Sequence, residues 1–278
     1  HINHMIREEA IEDEKYVQKY CENHNIECYI KRIDVQKIAN NKKIGTEEAG
    51  RNARYEFFDE IMQKTASNKI SIAHNKNDKI ETIIMHLLRG SGISGLKGIE
   101  PIRDNKYIRP LIECERKEIE QYCEYNKLEP RIDKTNFENE YTRNKIRNIV
   151  IPYIKQEFNP NIIETINRLS EVVKDENEYI EKMMMKEYNN LLINKTEQEI
   201  ILDLKEFNKQ EIVIKNRLIL YVVKLLNGSS QGIEKIHIKD IIKLCDNNIG
   251  NKFLTPNKNL KVLVKDKKIF FISQIKNP

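Results

Sequence analysis

The sequence predicts an α/β protein, with a parallel sheet and covering helices in its first half, then a long linking helix and a small α+β unit. Three observations carry this. Residues 1–90 alternate extended and helical patterns in the order strand, helix, strand, helix, the order of parallel βαβ units. Ile162, Ile166, Leu169, Val173, Ile180, Met184 and Leu191 recur at a period of about 3.5 residues, one long amphipathic helix. Beyond it, Ile200, Leu202 and Leu204 alternate as a strand, and the chain ends on a hairpin pattern from Leu260 to Ser273.

Composition sets the outer bounds. The 278 residues are 39% hydrophobic and 33% charged, enough for a sizeable core and two domains. No run approaches the roughly 18 apolar residues of a membrane span, and no signal peptide is visible. The five cysteines form no C-x-x-C pair and fall mostly at apolar positions, which suits reduced thiols in a cytosolic protein. Thr255 to Pro278 holds six Lys and one Asp, a local charge of +5. The whole chain is also +5, so the residues before Thr255 sum to zero. A polyanion would therefore be met by local patches rather than by the general charge.

Taken in order, residues 10–24 suit a helix with Val17, Tyr20 and Cys21 on one side. Glu27 to Ile33 alternates through Cys28, Ile30 and Ile33 as a strand. Thr46 suits the N-cap of a helix running to about Thr65, with Ala49, Ala53, Phe57, Phe58, Ile61 and Met62 inward and Arg51 and Arg54 off that stripe. Ile70, Ile72 and Ala73 form a strand that surfaces at His74, and Asp78 opens a helix whose stripe is Ile80, Ile83, Ile84, Leu87 and Leu88. Ile99 to Arg103 and Tyr107 to Leu111 are short extended pieces around an Asp104-Asn105 turn. A helix from about Glu115 to Asn126 turns Ile119, Tyr122 and Cys123 inward. Pro152 is expected to kink or end the helix before it, and Asn159 and Pro160 to be the N-cap and first residue of the long helix, which runs to about Ile193. Further helices fall at about Lys209 to Asn227 and His237 to Asn247. In the terminal hairpin, turning at Asp266-Lys267, lysines alternate with Val262, Val264 and Phe271. The expected divisions are 1–158, a linking helix at 159–195, and 196–278.

Chemistry concentrates between Ala73 and Gly98. Asp78 and Glu81 both sit at a helix N-terminus beside the carboxyl end of a strand, where open α/β sheets place ligands. Asp-x-x-Glu is also a capping-box variant, and spacing alone leaves both readings open. His74, Asp78 and Glu81 suggest a metal triad, but no Cys or second His completes it at ligand spacing. Gly90, Gly92 and Gly95 spell G-x-G-x-x-G, yet a helix precedes them and a loop follows, the reverse of a dinucleotide site. Arg143 and Arg147 stand four apart, so one helical face carries both guanidiniums, a phosphate-binding arrangement. The alternative is a surface helix pairing them with Glu138 and Glu140.

Several segments then carry a resemblance: His-Asn-x-x-Asp-x-x-Glu-Thr at 74–82, Arg-Gly-Ser-Gly at 89–92, Gly-Leu-x-Gly at 95–98, Ile-Arg-Pro-Leu at 108–111, Glu-Ala-Gly-Arg-Asn-Ala-Arg-Tyr at 48–55, and Asp133-x-x-Asn136 followed by Arg143-Asn144-x-x-Arg147. Together they resemble the bacterial tRNA(Ile)-lysidine synthetases, ATP-pyrophosphatases of the PP-loop class. The likeness covers nearly the whole chain and is most specific over residues 1–160. It implies a PP-loop parallel-sheet domain truncated at its N-terminus, followed by the family's first accessory domain. The implied activity is ATP-dependent ligation of L-lysine to the wobble cytidine of tRNA(Ile) with a CAU anticodon, in the cytoplasm, with ATP and Mg²⁺ as cofactors. No membrane partner is implied, and the oligomeric state stays open, a homodimer included.

By the same resemblance, Asp78, Glu81 and His74 are catalytic, the two carboxylates binding lysine or the metal-bound phosphates. Arg51, Arg54, Arg89, Arg109, Arg143, Asn144 and Arg147 face phosphate or tRNA. His4 and Arg7 lie at the nucleotide, and Lys261, Lys265 and Lys268 touch tRNA. One departure is plain: the family's Ser-Gly-Gly-x-Asp-Ser pyrophosphate loop is absent from these residues and is expected upstream of His1. As it stands the chain is expected to be inactive. A PP-loop tRNA thiolase and a non-catalytic tRNA-binding remnant are the other classes. The paired catalytic cysteines usual in the first are not present.

Overall fold

The computed structural model describes residues 1–7, 9–131, 141–247 and 252–275. The chain forms two compact units, His1–Glu171 and Val172–Pro278, which divide inside the long helix. None of the described helices is long and apolar enough to cross a membrane.

The first unit begins with β1 (Ile2–Asn3), α1 (Ala10–Asn23) and β2 (Lys31–Arg32), and β1 and β2 pair in parallel. Next come α2 (Val35–Lys42), α3 (Thr46–Lys64) and β3 (Ile70–Ser71). Then follow α4 (Lys76–Leu88), the single turn α5 (Ile93–Leu96), β4 (Ile102–Arg103) and β5 (Tyr107–Ile108). β3 pairs in parallel with β5, and β4 folds back antiparallel on β5. Asp104 and Asn105 make that turn with φ of +55° and +50°, the left-handed pair that tight hairpins favour. After α6 (Arg116–Tyr125), one helical rod is built from α7 (Thr142–Lys145), a wide π turn (Ile146–Val150) and α8 (Ile151–Glu157). The long α9 spans Ile162–Leu191.

Several expectations are corrected. α2 has no counterpart in the sequence pattern; Asp34 caps it by accepting from the Lys37 N–H at 2.9 Å, and Val35 and Ala39 bury its inner side. Thr46 is the first helical residue of α3 rather than its cap, and Gly45 holds the cap position. Only Lys31–Arg32 of the strand expected at 27–33 is paired. Tyr122 is 65% exposed, not inward. Pro152 does not end its helix. The Ile151 N–H reaches back five residues to the Ile146 carbonyl, so the wide turn absorbs the register change where proline supplies no donor. Asn159 closes a turn on the Asn161 N–H at 2.9 Å, and α9 begins two residues after Pro160.

The stripe of α4 is shorter than its sequence suggests. Ile80, Ile83 and Ile84 pack on Ile146, Ile151 and Ile163, whereas Leu87 and Leu88 are 61% and 67% exposed because the last turn runs past that core. Two polar links from α9 hold the same helix: Lys79 Nζ donates to Asn167 Oδ1 at 2.8 Å, and Lys76 pairs with Glu164 at 3.3 Å. Gly90 and Gly98 frame the exit, each at φ +71°.

The second unit is a five-stranded antiparallel sheet in the order β6 (Leu192–Lys195), β7 (Glu199–Asp203), β10 (Lys268–Ser273), β9 (Leu260–Lys265), β8 (Lys252–Asn257). Three helices accompany it: α10 (Leu204–Lys209), α11 (Ile212–Asn227) and α12 (Lys235–Asn247). The helix expected at 209–227 is thus broken at Gln210–Glu211, and β6 and β8 are additions to the expected hairpin. Leu260, Val262, Val264, Ile269 and Phe271 face the core with Leu202, Phe207, Leu218 and Val222. Strand alternation puts Lys261, Lys265 and Lys268 on the opposite face, as expected.

The two exit glycines give a paired test. At Gly98 a Cβ would meet Ile83 Cγ1 at 2.9 Å and Lys79 Cγ at 3.0 Å, while at Gly90 nothing lies within 4 Å. Gly98→Ala should cost about 2–4 kcal/mol, and Gly90→Ala only the about 1–2 kcal/mol of a left-handed alanine. Chemical denaturation of both variants checks this; equal losses would contradict the tight packing at Gly98.

Candidate active site

The site grows from the end of β3. The Ile72 N–H still bonds to the Ile108 carbonyl, after which the chain leaves the sheet at His74. Asn75 caps α4: its side chain accepts from the Asp78 N–H at 3.0 Å, and Asp78 Oδ2 accepts from the Asn75 N–H at 3.0 Å. The capping box is therefore Asn75–Asp78, which corrects the Asp78–Glu81 alternative and leaves Glu81 no part in capping.

Glu81 is 1% exposed. Arg143 Nε donates to its Oε2 at 2.8 Å, and Arg147 donates from Nε to Oε1 at 2.6 Å and from Nη2 to Oε2 at 2.8 Å. Both guanidiniums also reach Asp78 Oδ1, at 3.0 Å from Arg143 and 3.2 Å from Arg147. With Asp78 Oδ2 taken by the cap, every oxygen of the two carboxylates has a donor. The partial positive charge of the α4 N-terminus adds to their stability. Glu81 holds the Arg147 guanidinium above its ordinary pKa, against the opposing effect of burial.

His74 completes the near side. Arg109, 6% exposed, donates from Nε to His74 Nδ1 at 3.1 Å and from Nη1 to the Glu100 carbonyl. Burial lowers the His74 pKa; Asp78 opposes this, and Arg109, Arg143 and Arg51 reinforce it. The ring is held neutral with Nδ1 as acceptor, so its proton lies on Nε2.

A second group surrounds a cavity of about 740 Å³, lined by His4, Arg7, Arg54, Asp13, Arg131 and Tyr16 among others, with Ile2, Val17, Phe58 and Leu128 as apolar wall. Arg54 Nη2 lies 3.4 Å from His4 Nε2, and burial, then Arg54, lowers the His4 pKa. Arg7 pairs with Asp13 at 3.0 Å, and Arg131 bridges Asp13 and Glu12 at 2.7 and 3.0 Å. A smaller cavity of about 360 Å³ runs from His1 past Phe57, Ile61 and Met62 to Ile70. The two cavities thus touch residues of both β1 and β3, which belong to separate sheets.

The expected residues divide among these places. His74, Asp78, Glu81, Arg109, Arg143 and Arg147 come together, with Arg51 beside them. His4, Arg7 and Arg54 line the larger cavity. Asn144 lies on α7, next to Arg143. Arg89 stands exposed at the far end of α4, about 16 Å along the axis from Asp78, and does not join them. Asp133, Asn136, Glu138 and Glu140 lie outside the described residues. Lys261, Lys265 and Lys268 belong to the second unit. Among the described residues no group of three acidic, His or Cys side chains suits a metal ion. The carboxylate pair fits a cation rich in N–H donors better than a bare metal, since each oxygen is already matched to an N–H.

Residues 1–154 match the PP-loop domain family. The chain is 48% identical over 258 residues to a tRNA(Ile)-lysidine synthase of Clostridium acetobutylicum, covering 92% of this chain and 56% of that protein. It is 44% identical over 275 residues to the tRNA(Ile)-lysidine synthase of Clostridioides difficile, covering 99% of this chain and 60% of that protein. The chain therefore spans somewhat over half the length of these relatives. Among solved structures, the U34-tRNA thiolase of Methanococcus maripaludis aligns at TM-score 0.49 and 17% identity, over 62% of this chain and 61% of that one.

The geometry separates the two carboxylates by their structural weight. Asp78→Asn keeps an acceptor for the cap and should lower stability by less than about 1 kcal/mol. Glu81→Gln leaves two half-buried guanidiniums short of an acceptor and should cost about 1–3 kcal/mol. Thermal melting of both variants checks the order; a Glu81→Gln protein as stable as Asp78→Asn would contradict it.

Proposed function

The chain belongs to the PP-loop domain family, and from that premise we propose that it is the catalytic part and first accessory domain of a tRNA(Ile)-lysidine synthase. The reaction joins L-lysine to C2 of the wobble cytidine of tRNA(Ile) with a CAU anticodon. The cytidine O2 attacks the α-phosphorus of ATP and pyrophosphate leaves. The lysine ε-amine then attacks C2, and AMP departs with the former O2.

The observation that carries this reading is the carboxylate pair of buried Glu81 and half-buried Asp78, which guanidinium N–H groups meet at 2.6–3.2 Å on both oxygens of Glu81 and on Oδ1 of Asp78. A pocket that satisfies two guanidiniums is matched to the ammonium of lysine. Arg143 has the more exposed side chain, 34% against 19% for Arg147, and is the one to give way. Released, it faces the phosphate of the adenylated base, while Arg147 keeps Glu81 in place. His74, neutral and tied to Arg109, orients that guanidinium toward the same phosphate.

The larger cavity, apolar on one side and lined by His4, Arg7 and Arg54, has the size and lining of a nucleotide site and is assigned to ATP. Magnesium would enter with the phosphates of ATP rather than sit between Asp78 and Glu81. We place the strand and Ser-Gly-Gly loop of the family beside β1 and β3, whose Ile2 and Ile70 line the larger and the smaller cavity. Residues 1–158 then act on nucleotide and lysine. Residues 196–278 meet the tRNA backbone through Lys261, Lys265 and Lys268.

The test is lysidine formation by a protein carrying that strand and loop ahead of His1. It should be active, and Asp78→Asn and Glu81→Gln should each lower turnover by about 10²–10³-fold. Near-normal turnover in both variants would reduce the carboxylates to structural partners of the arginines.

A further inference from the structure

A second cluster of cations, which meets the site above at Arg109, lies on α3 and the β4–β5 hairpin. Tyr55 and Tyr107 meet edge to face, with ring centroids 5.0 Å apart and planes at 87°. Arg103 fills the corner between them, its guanidinium carbon 4.6 Å from the Tyr55 centroid and 4.4 Å from that of Tyr107. Arg51, one turn before Tyr55 on α3, lies 5.4 Å from the same Tyr55 ring. Lys106 is 5.1 Å from the Tyr107 ring, and Asp59, one turn after Tyr55, accepts from both Lys106 and the Tyr107 hydroxyl. Arg109 is close enough to feel the charges of Arg103 and Arg51.

Charge in this layer is unbalanced. Among the described residues, Arg51, Arg103, Lys106 and Arg109 have Asp59, taken by Lys106, Asp104, a side chain 72% exposed and 3.2 Å from Arg103 Nε, and Glu100, whose charge reaches Arg109 without forming an ion pair. Among the described residues neither Arg51 nor Arg109 has a carboxylate within salt-bridge reach, and the buried Nε of Arg103 is near Asp104 as an ion pair but makes no hydrogen bond to it. Like charges set this close repel, and stacking on tyrosine is what holds them. Stacking uses the face of a guanidinium and leaves its in-plane N–H fork free, the edge that binds a phosphate bidentately. The rings also fix the long side chains in advance, so less freedom is lost on binding.

The shape of the surface selects the ligand. Arg51, Arg103 and Arg109 line neither of the two cavities described above. The row leads from buried Arg109, next to His74, outward to Arg103, whose side chain is 33% exposed. A chain of phosphates that runs out of the reaction site fits this row.

We propose that Arg103 and Arg51, held on Tyr55 and Tyr107, bind the phosphodiester backbone of RNA where it leaves the site at His74. The location rests on the function proposed above; the binding does not. The test is fluorescence anisotropy of a labelled RNA stem–loop with this chain, titrated at several salt concentrations without ATP or lysine, with melting curves beside it. Arg103→Gln should weaken binding and flatten the log–log salt slope by about 0.7–0.9, the share of a single phosphate. Arg103→Lys should keep most of the slope but not the affinity, because an ammonium has neither the flat face nor the fork. An unchanged slope and affinity in Arg103→Gln, with a flattened slope when Lys261, Lys265 and Lys268 become Gln, would overturn the proposal. So would inorganic triphosphate losing its affinity on Arg103→Gln while RNA keeps its own. Weakened RNA binding by Arg103→Gln together with failed lysidine formation would leave this inference standing and the proposed reaction refuted. Lysidine formation with RNA binding untouched by Arg103→Gln would do the reverse.

Discussion

The Glu81 carboxylate is the constraint on which the first unit depends. A carboxylate 1% exposed is tolerable only with strong donors on both oxygens, and Arg143 and Arg147 supply them. Those arginines belong to the rod of α7, π turn and α8, so meeting Glu81 fixes that rod across the N-terminal half of α4. The apolar packing of Ile80, Ile83 and Ile84 on Ile146, Ile151 and Ile163 follows from the same placement. α9 then locks α4 from a further side through Lys79–Asn167 and Lys76–Glu164. The strand, the helix start and the rod together hold His74, Asp78 and Glu81 in one place.

Much of this was legible in the chain, for local reasons. The periodicity of α1, α3, α4, α6 and α9 and the turns at Asp104-Asn105 and Asp266-Lys267 depend on neighbours within a few residues. The cap of α4 was nearly legible: Asn75 stands one residue before the first helical position, but Asp78 and Glu81 spell a similar box. The partner of Glu81 was not legible, since Arg143 and Arg147 lie 62 and 66 residues away and no local pattern links them. β6 and β8 escaped because they are edge strands, with residues that need not alternate where neither face is fully buried. Arg103 escaped for a related reason. Its importance comes from two aromatic rings on different elements, and a single arginine in a two-residue strand gives no signal.

The clustering of charge was legible in a different way. The residue types around His74 pointed to charge handling, and the structure distributes that charge in three arrangements. Paired arginines sit on Asp78 and Glu81, cavity arginines stand with His4, and ring-stacked arginines on Tyr55 and Tyr107 have little acidic company. Arg51 and Arg54, three residues apart on α3, illustrate the division. Arg54 turns to His4 and the cavity and Arg51 to the Tyr55 ring, although they are neighbours on one helical face.

If Glu81 sets the position of the rod, it must be energetically joined to Arg147 rather than merely adjacent to it. A double-mutant cycle measures this directly, with unfolding free energies of the parent, Glu81→Gln, Arg147→Gln and the double variant. A coupling of about 1–3 kcal/mol is expected, the double variant being less damaged than the sum of the two singles. Additivity within about 0.5 kcal/mol would contradict it, since α4 and the rod would then be held by their apolar packing alone.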